Sequence, residues 1–136
     1  FRTAETLLLY LKSKADIVVV DFHSEATSEK EIMGFFLDGK VSAILGTHTH
    51  VPTADERILP GGTAYIGDVG SCRALNSSLG IKKETVLQML LTQMPGHFTV
   101  EEKPPYIMGA VLIDVNKDTG KAISIKRLRI EDTIEI

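Results

Sequence analysis

The chain has 136 residues, of which 43% are hydrophobic and 24% are charged. This length and composition are typical of one globular domain with a modest core, and they exclude strong disorder. No apolar run approaches the length of a membrane span, and the first residues lack the pattern of a signal peptide. The sequence begins at Phe1 without an initiator Met, so we expect its N-terminus to be a cut rather than a natural start.

The distribution of charge restricts the classes of partner. The formal net charge is −3 and the basic residues are scattered, which argues against a surface that binds nucleic acid through bulk charge. If the ligand is a phosphate ester, its attraction must come from a local feature such as metal ions. Cys72 is the only cysteine and cannot form an internal disulfide, which favours a reducing, cytoplasmic location.

The first part of the sequence alternates between helical and strand patterns. Residues 4–14 are predicted to form an amphipathic helix, because apolar residues recur there at helical spacing: Ala4, Leu7, Leu8, Leu11 and Ala15. Residues 16–21 form a β-branched apolar run that ends in an acid. Such a run suits a strand buried on both faces.

A strand–helix–strand unit is predicted to begin with this strand. Residues 28–31 have the pattern of a capping box at the start of a helix, and Asp38-Gly39 is expected to end that helix. Residues 41–46 then predict a second buried strand. Strand, helix and strand occupy about 30 residues, which is typical of a βαβ unit with a right-handed crossover.

The following segments predict a third strand, a loop and another helix. We expect a strand at 63–66 after the turn at 60–62, and a loop at 69–81. Residues 83–94 predict a helix with an apolar stripe that packs in the core, formed by Val86, Leu87, Leu90, Leu91 and Met94.

The end of the sequence predicts a β-hairpin. Its arms are expected at 106–115 and 121–130, on either side of a turn at 116–120 that contains Asn, Asp and Gly. There is no internal repeat and no clear linker. Residues 1–136 are therefore expected to form one domain or part of one.

Three histidines follow the first two predicted strands. His23 lies two residues past Asp21, and His48 and His50 come just after the second strand. In open α/β sheets, ligands bind outside the carboxyl ends of the strands. A His-x-His pair in extended backbone directs both side chains to the same side, and neutral imidazole is a common ligand of zinc, iron and manganese-type ions. The sequence therefore predicts a metal site with the ligands His23, His48 and His50.

Several interpretations of these histidines remain open at this point. Three histidines alone would suit a mononuclear zinc hydrolase with an open coordination position. They would also suit a structural or vestigial site in a non-catalytic module that folds against a partner. A two-metal site needs a bridging carboxylate, which the sequence does not identify. The acids nearby are Asp21, Glu25, Asp55 and Glu56, and each of them also has an ordinary role at a strand end, a helix start or a solvated loop.

Other catalytic patterns are absent from the sequence. There is no Gly-x-Ser-x-Gly motif, no P-loop and no dinucleotide-binding fingerprint. Nothing in the sequence pairs Cys72 with a histidine. His97 is predicted to be an exposed loop residue and not a ligand.

The histidine-containing segments resemble those of the YmdB-type calcineurin-like metallophosphoesterases. The similar segments are DFHSEATSEK at 21–30, GTHTHVPTADE at 46–56, LPGGTAYI at 59–66, DVG at 68–70 and TGKA at 119–122. The resemblance as a whole covers nearly all of the chain, and its histidine-containing motifs are specific.

The resemblance implies an α/β fold, namely a β-sandwich flanked by helices, of which residues 1–136 are the C-terminal part of a single domain. It implies a binuclear centre of iron or manganese in which His23 and His48 bind one metal ion and His50 the other. It also implies hydrolysis of phosphate esters, including 2′,3′-cyclic nucleotides, by a cytoplasmic and often homo-oligomeric enzyme.

The sequence also departs from the family pattern. The family's N-terminal portion supplies an Asp, a bridging Glu, Asn ligands and a catalytic His, and none of those motifs is present here. We therefore expect no catalytic residue in this chain, the missing N-terminal half as a partner, and little activity without that half. Residues 71–76 differ from the usual loop of the family, which affects the expected substrate preference.

Overall fold

The computed structural model describes residues 1–132. They fall into two compact units, residues 1–70 with 110–128 and residues 71–109 with the segment that begins at 129. The elements within the described residues are, in chain order, α1 Arg2–Leu11, β1 Val19–His23, α2 Thr27–Leu37, β2 Ala43–Thr47, β3 Arg57–Ile58, β4 Ala64–Ile66, β5 Cys72–Ala74, α3 Lys83–Thr92, β6 Tyr106–Val115 and β7 Ala122–Asp132. The predicted mixed α/β class is confirmed.

The first unit contains a four-stranded sheet in the order β1-β2-β4-β3. The pairs β1–β2 and β2–β4 are parallel, whereas β3 runs antiparallel to β4. The predicted strand–helix–strand unit is therefore confirmed, with α2 as the connection between β1 and β2. In the register of this pair His23 lies opposite Thr47, so the carboxyl ends of the two strands are side by side.

The core of this unit lies where α1 and α2 pack on the sheet. The buried apolar cluster consists of Leu8, Val18, Met33, Leu37, Val41, Ile44, Leu59 and Tyr65. Met33 and Leu37 are four residues apart, which places them on the same face of α2. Burial of each large apolar side chain contributes about 1.5–3 kcal/mol to the free energy of folding. This cluster therefore stabilises the packing of α1 and α2 on the sheet that contains β1 and β2.

Strand β1 differs from its prediction in position and in burial. It runs to His23 instead of ending at Asp21, so His23 is the last residue of the strand and not a residue beyond it. Within the part of the chain that the structure describes, β1 is an edge strand, and its residues alternate between exposed and half-buried. The predicted burial on both faces is therefore wrong, and Val19 is 53% exposed.

The start of α2 also differs from its prediction. The N-cap residue is Ala26, and no hydrogen bond from a described side chain caps the helix. Ser24 instead donates a hydrogen bond from its hydroxyl to Glu29, so the predicted capping box at 28–31 is wrong. The end of the helix is confirmed, since Gly39 follows it with φ of 72°, a conformation that suits glycine.

The second unit contains β5 paired antiparallel with the first residues of β6. Strand β5 lies within residues 69–81, which were expected to be a loop. Helix α3 forms where it was predicted, but among residues 83–92 none is buried. Leu90 and Leu91 are 73% and 75% exposed, so the predicted core stripe is wrong. The reason is that no other helix or strand among the described residues packs extensively against α3.

The predicted hairpin is confirmed. Strands β6 and β7 belong to a second sheet with the order β5-β6-β7. The Gly120 N–H donates to the carbonyl of Asn116 at 2.8 Å, and Asn116 pairs with Lys121 across the turn. None of the helices within residues 1–132 has the length and apolar character needed to cross a membrane.

Candidate metal centre

His23 and His48 meet at the carboxyl edge of the first sheet. Nε2 of His23 lies 3.2 Å from Nδ1 of His48. The two rings are edge-to-face, with centroids 5.1 Å apart and an angle of 78° between their planes. Both side chains are exposed. The contact arises because β1 and β2 are parallel neighbours, so the residues that end one strand lie beside those that end the other.

A hydrogen-bond chain fixes the orientation of the His23 ring. The Thr47 hydroxyl donates to Oδ1 of Asp21 at 3.0 Å, and Nδ1 of His23 lies 3.1 Å from the same hydroxyl oxygen. A hydroxyl has a single proton. Since Asp21 accepts it, Nδ1 of His23 must be the N–H that donates to Thr47. In the neutral ring Nε2 then carries the lone pair, and this nitrogen is the one that faces His48.

The segment that carries His48 and His50 has an unusual backbone conformation. His48 has φ of 150° and His50 has φ of 62°. A positive φ is uncommon in residues other than glycine, and such conformations cost about 1–3 kcal/mol each and concentrate at functional sites. The prediction that His-x-His continues as extended backbone is therefore wrong for this segment.

Thr49, between the two histidines, is anchored to a buried carboxylate. Its N–H donates to Oδ2 of Asp68 at 2.8 Å, and Nζ of Lys30 lies 3.1 Å from the same oxygen. Burial by itself would raise the pKa of Asp68, but hydrogen bonds from Thr49, Gly70 and Lys30 outweigh it and hold that pKa below its ordinary value. Neither Lys30 nor Asp68 was predicted from the sequence to belong to the site.

A signal for Lys30 was nevertheless present in the sequence. Lys30, Met33 and Leu37 share a helix face, and all three are buried, so a lysine occupies a position of the core stripe of α2. A charged residue at such a position is almost never fully buried unless it is paired. Thr47 could not be found in this way, because its contact with His23 depends on strand register.

The acids near the histidines have separate roles in this structure. Asp21 supports Thr47, as described above, and Glu25 is exposed beyond β1. Oδ1 of Asp55 accepts the N–H of Gly67 at 3.0 Å. Glu56 pairs with Arg127 at 3.7 Å. Two of the four acids thus hold loops of this unit together. His97 belongs to the second unit and is exposed.

The chemistry of the histidine pair fits a metal ion. Two nitrogens that bind the same metal ion at about 2.0–2.1 Å lie about 3 Å or more from each other. The observed distance between Nε2 of His23 and Nδ1 of His48 is 3.2 Å. Neutral imidazoles suit ions of the zinc, iron and manganese type. Within residues 1–132, however, no three His, Cys, Asp or Glu side chains are close enough together to hold a metal ion. The described chain therefore brings together a pair of ring nitrogens.

Comparisons with known proteins agree with the resemblance in the sequence. A 2′,3′-cyclic-nucleotide 2′-phosphodiesterase of Bacillus subtilis (strain 168) is 45% identical over 132 residues, which are 97% of this chain and 50% of that protein. The crystal structure of a phosphatase from Mycoplasma pneumoniae matches 96% of this chain and 46% of its own, with a TM-score of 0.85 and 39% identity.

A crystal structure of a hypothetical protein from Thermus thermophilus matches equally well, with a TM-score of 0.85 and 39% identity over 96% of this chain and 50% of its own. The chain thus spans about half the length of the proteins that it matches. The family described as YmdB-like protein matches residues 1–128. The chain therefore belongs to the YmdB-like protein family.

Proposed function

We propose that this chain supplies His23, His48 and His50 as metal ligands to a phosphoesterase that hydrolyses phosphate esters. The observation that carries the proposal is the 3.2 Å approach of two ring nitrogens at the edge of a parallel sheet. The substrate class is supported by the Bacillus subtilis relative, whose name specifies a 2′,3′-cyclic-nucleotide phosphodiesterase. Cyclic nucleotides are therefore the first substrates to test.

The proposal includes two metal ions of the iron or manganese type. When bound, such ions would supply Lewis acidity that neutralises the negative charge developing on the phosphate oxygens in the transition state. The contact between His23 and His48 supports their assignment to one ion. The absence of a three-residue ligand group within residues 1–132 favours a separate ion for His50 over a three-histidine zinc site.

The residues of this chain prepare the site before any ligand arrives. Asp21 and Thr47 keep the Nε2 lone pair of His23 directed at the site, which is the usual role of groups that bind the second nitrogen of a ligating histidine. Both rings are exposed at the edge of the sheet, so no side chain of the described residues covers them. Because the chain has a formal net charge of −3, we propose that a local cation provides the attraction for an anionic substrate.

The remaining ligands and the catalytic histidine are proposed to come from residues that this chain does not contain. The reason is that the chain spans about half the length of its relatives. The isolated chain is accordingly expected to have little activity. A cytoplasmic location and a homo-oligomeric assembly stay predictions of the family resemblance.

The proposal predicts that the ligand histidines are essential for turnover. In the full-length protein supplied with Mn²⁺, we expect His23→Ala, His48→Ala and His50→Ala each to lower kcat/KM for 2′,3′-cyclic AMP about 100-fold or more, since loss of a ligand removes several kcal/mol of charge stabilisation. His97→Ala is the matched control and should keep wild-type activity. Near-normal turnover in any of the three variants would remove that histidine from the site.

A further inference from the structure

We propose that the buried ion pair of Lys30 and Asp68 is a positioning device that holds the segment His48-Thr49-His50 in its unusual conformation. The pair is separate from the histidines that we assign as ligands, and its importance for metal binding rests on the proposed function. Neither Asp68 nor Lys30 is proposed to contact the metal ions or the substrate.

The hydrogen bonds of Asp68 use both of its oxygens inside the protein. Oδ2 accepts the Thr49 N–H at 2.8 Å and lies 3.1 Å from Nζ of Lys30. Oδ1 accepts the Gly70 N–H at 2.9 Å. Asp68 is 0% exposed, so this carboxylate is not available to a metal ion or a substrate. Its action on the site passes through the backbone of Thr49.

The anchored N–H is the group that determines the direction of the histidine segment. The N–H of Thr49 belongs to the peptide unit that joins His48 to Thr49, so its orientation is coupled to the ψ angle of His48. His48 and His50 both have positive φ, which persists only when surrounding contacts enforce it. The hydrogen bond to Asp68 is such a contact, and it acts at the residue between the two strained positions.

The charge of the pair explains why a lysine occupies the inner face of α2. A buried carboxylate without a compensating charge is strongly unfavourable, and Lys30, which is 3% exposed, provides the positive charge. A buried ion pair is weak evidence for stability, because apolar side chains of similar volume often serve as well. Apolar replacements would leave the Thr49 N–H without its acceptor, so the pair specifies a conformation of the segment.

The test compares Asp68→Asn with a matched variant in the full-length protein. Asn retains the shape of the side chain but lacks the charge and has only one acceptor oxygen. The control is Asp38→Asn, because Asp38 also accepts two backbone N–H groups, those of Gly61 at 2.7 Å and Thr63 at 3.3 Å, without contact to the histidine segment. Binding of Mn²⁺ is measured by calorimetry, and the ring nitrogens of His23 and His48 are observed by ¹⁵N NMR without metal.

We expect Asp68→Asn to weaken Mn²⁺ binding about 10–100-fold, the usual effect of losing a group that supports ligands, and to shift the ring nitrogen signals. Asp38→Asn should change neither. A folded Asp68→Asn protein with wild-type affinity and wild-type ring signals would overturn the inference.

Lys30→Met decides the question if Asp68→Asn does not fold. It keeps the length of the side chain, and we expect a smaller change in both readouts in the same direction; wild-type values in both would contradict the positioning role. Failure of the wild-type protein to bind Mn²⁺ would refute the proposed function instead. The metal-free ring signals of the variants would then still confirm or overturn the positioning of the histidines.

Discussion

At the scale of single residues, Tyr65 combines full burial with a hydroxyl that lacks a hydrogen-bond partner among the described residues. Its side chain lies against α2 and β3. Burial raises the pKa of Tyr65 from its ordinary value near 10 to about 12, with the negative charges of Asp55 and Glu31 adding to the shift and Arg57 opposing it. The neutral phenol is therefore the form that the folded chain accommodates.

This shift predicts a loss of stability in alkaline solution. Because the folded pKa lies above the unfolded one, the contribution of Tyr65 is complete below about pH 10 and is lost as the pH rises through about 12. A difference of about two pKa units corresponds to roughly 2–3 kcal/mol. Urea unfolding from about pH 8 to pH 12 should show a decrease of this order in the wild type that is absent in Tyr65→Phe.

Tyr10→Phe provides the control, because Tyr10 is 63% exposed and should follow the wild-type curve. At neutral pH we expect Tyr65→Phe to be as stable as the wild type or slightly more so, since it removes a buried hydroxyl that has no partner among the described residues. Parallel pH curves for the wild type and Tyr65→Phe would show that the phenol of Tyr65 does not titrate in this way.

The candidate site also shows what residue patterns can and cannot predict. The positions of His23, His48 and His50 after two apolar runs are visible in the sequence, and so is their likeness to a family. The contact of His23 with Thr47, the positive φ values and the anchoring of Thr49 by Asp68 depend on strand register and on residues far apart in the chain. Those features can be identified only from the folded structure.

At the scale of elements, the types of helix and strand were predicted better than their burial. The runs at β1 and in the α3 stripe are apolar enough for a core, yet Val19 and Leu90 are largely exposed. An apolar run shows which side chains of a segment are suited to burial. Whether those side chains are buried depends on which other elements pack against the segment. The prediction of burial succeeded for β2, most of whose residues are buried and whose Ile44 belongs to the core cluster.

Close approach of two segments at the end of β2 explains the glycine at position 46. A Cβ atom there would lie 1.8 Å from the carbonyl oxygen of Gly67 and 3.1 Å from Cδ of Lys30. The first contact involves backbone and cannot be relieved by a side-chain rotation. Glycine at this position lets β2 and the segment that leads to Asp68 lie next to each other.

We therefore predict that Gly46→Ala destabilises the fold by about 3 kcal/mol, at the upper end of the usual effect of overpacking. The measurement is urea-induced unfolding at neutral pH. Gly96→Ala is the control, because a Cβ there would meet only the flexible side chain of Met89, at 3.1 Å, and should change stability by less than about 0.5 kcal/mol. Equal unfolding midpoints for Gly46→Ala and the wild type would disprove the predicted clash.

At the scale of the whole molecule, two features bear on our proposal that residues outside this chain complete the site. The chain spans about half the length of the relatives that it matches, and within residues 1–132 the ring nitrogens that we propose as metal donors form a pair, with no third His, Cys, Asp or Glu close enough to complete a ligand group. A four-coordinate ion would need at least two more ligands than His23 and His48 provide. The proposed metal centre thus depends on what these two rings bind in the full-length protein.

The most direct measurement is an anomalous difference map from crystals of the full-length protein grown with Mn²⁺. We expect a manganese peak bonded to Nε2 of His23 and Nδ1 of His48, at about 2 Å from each nitrogen. A map in which manganese binds elsewhere while the two rings remain hydrogen-bonded to each other would contradict the proposed metal centre.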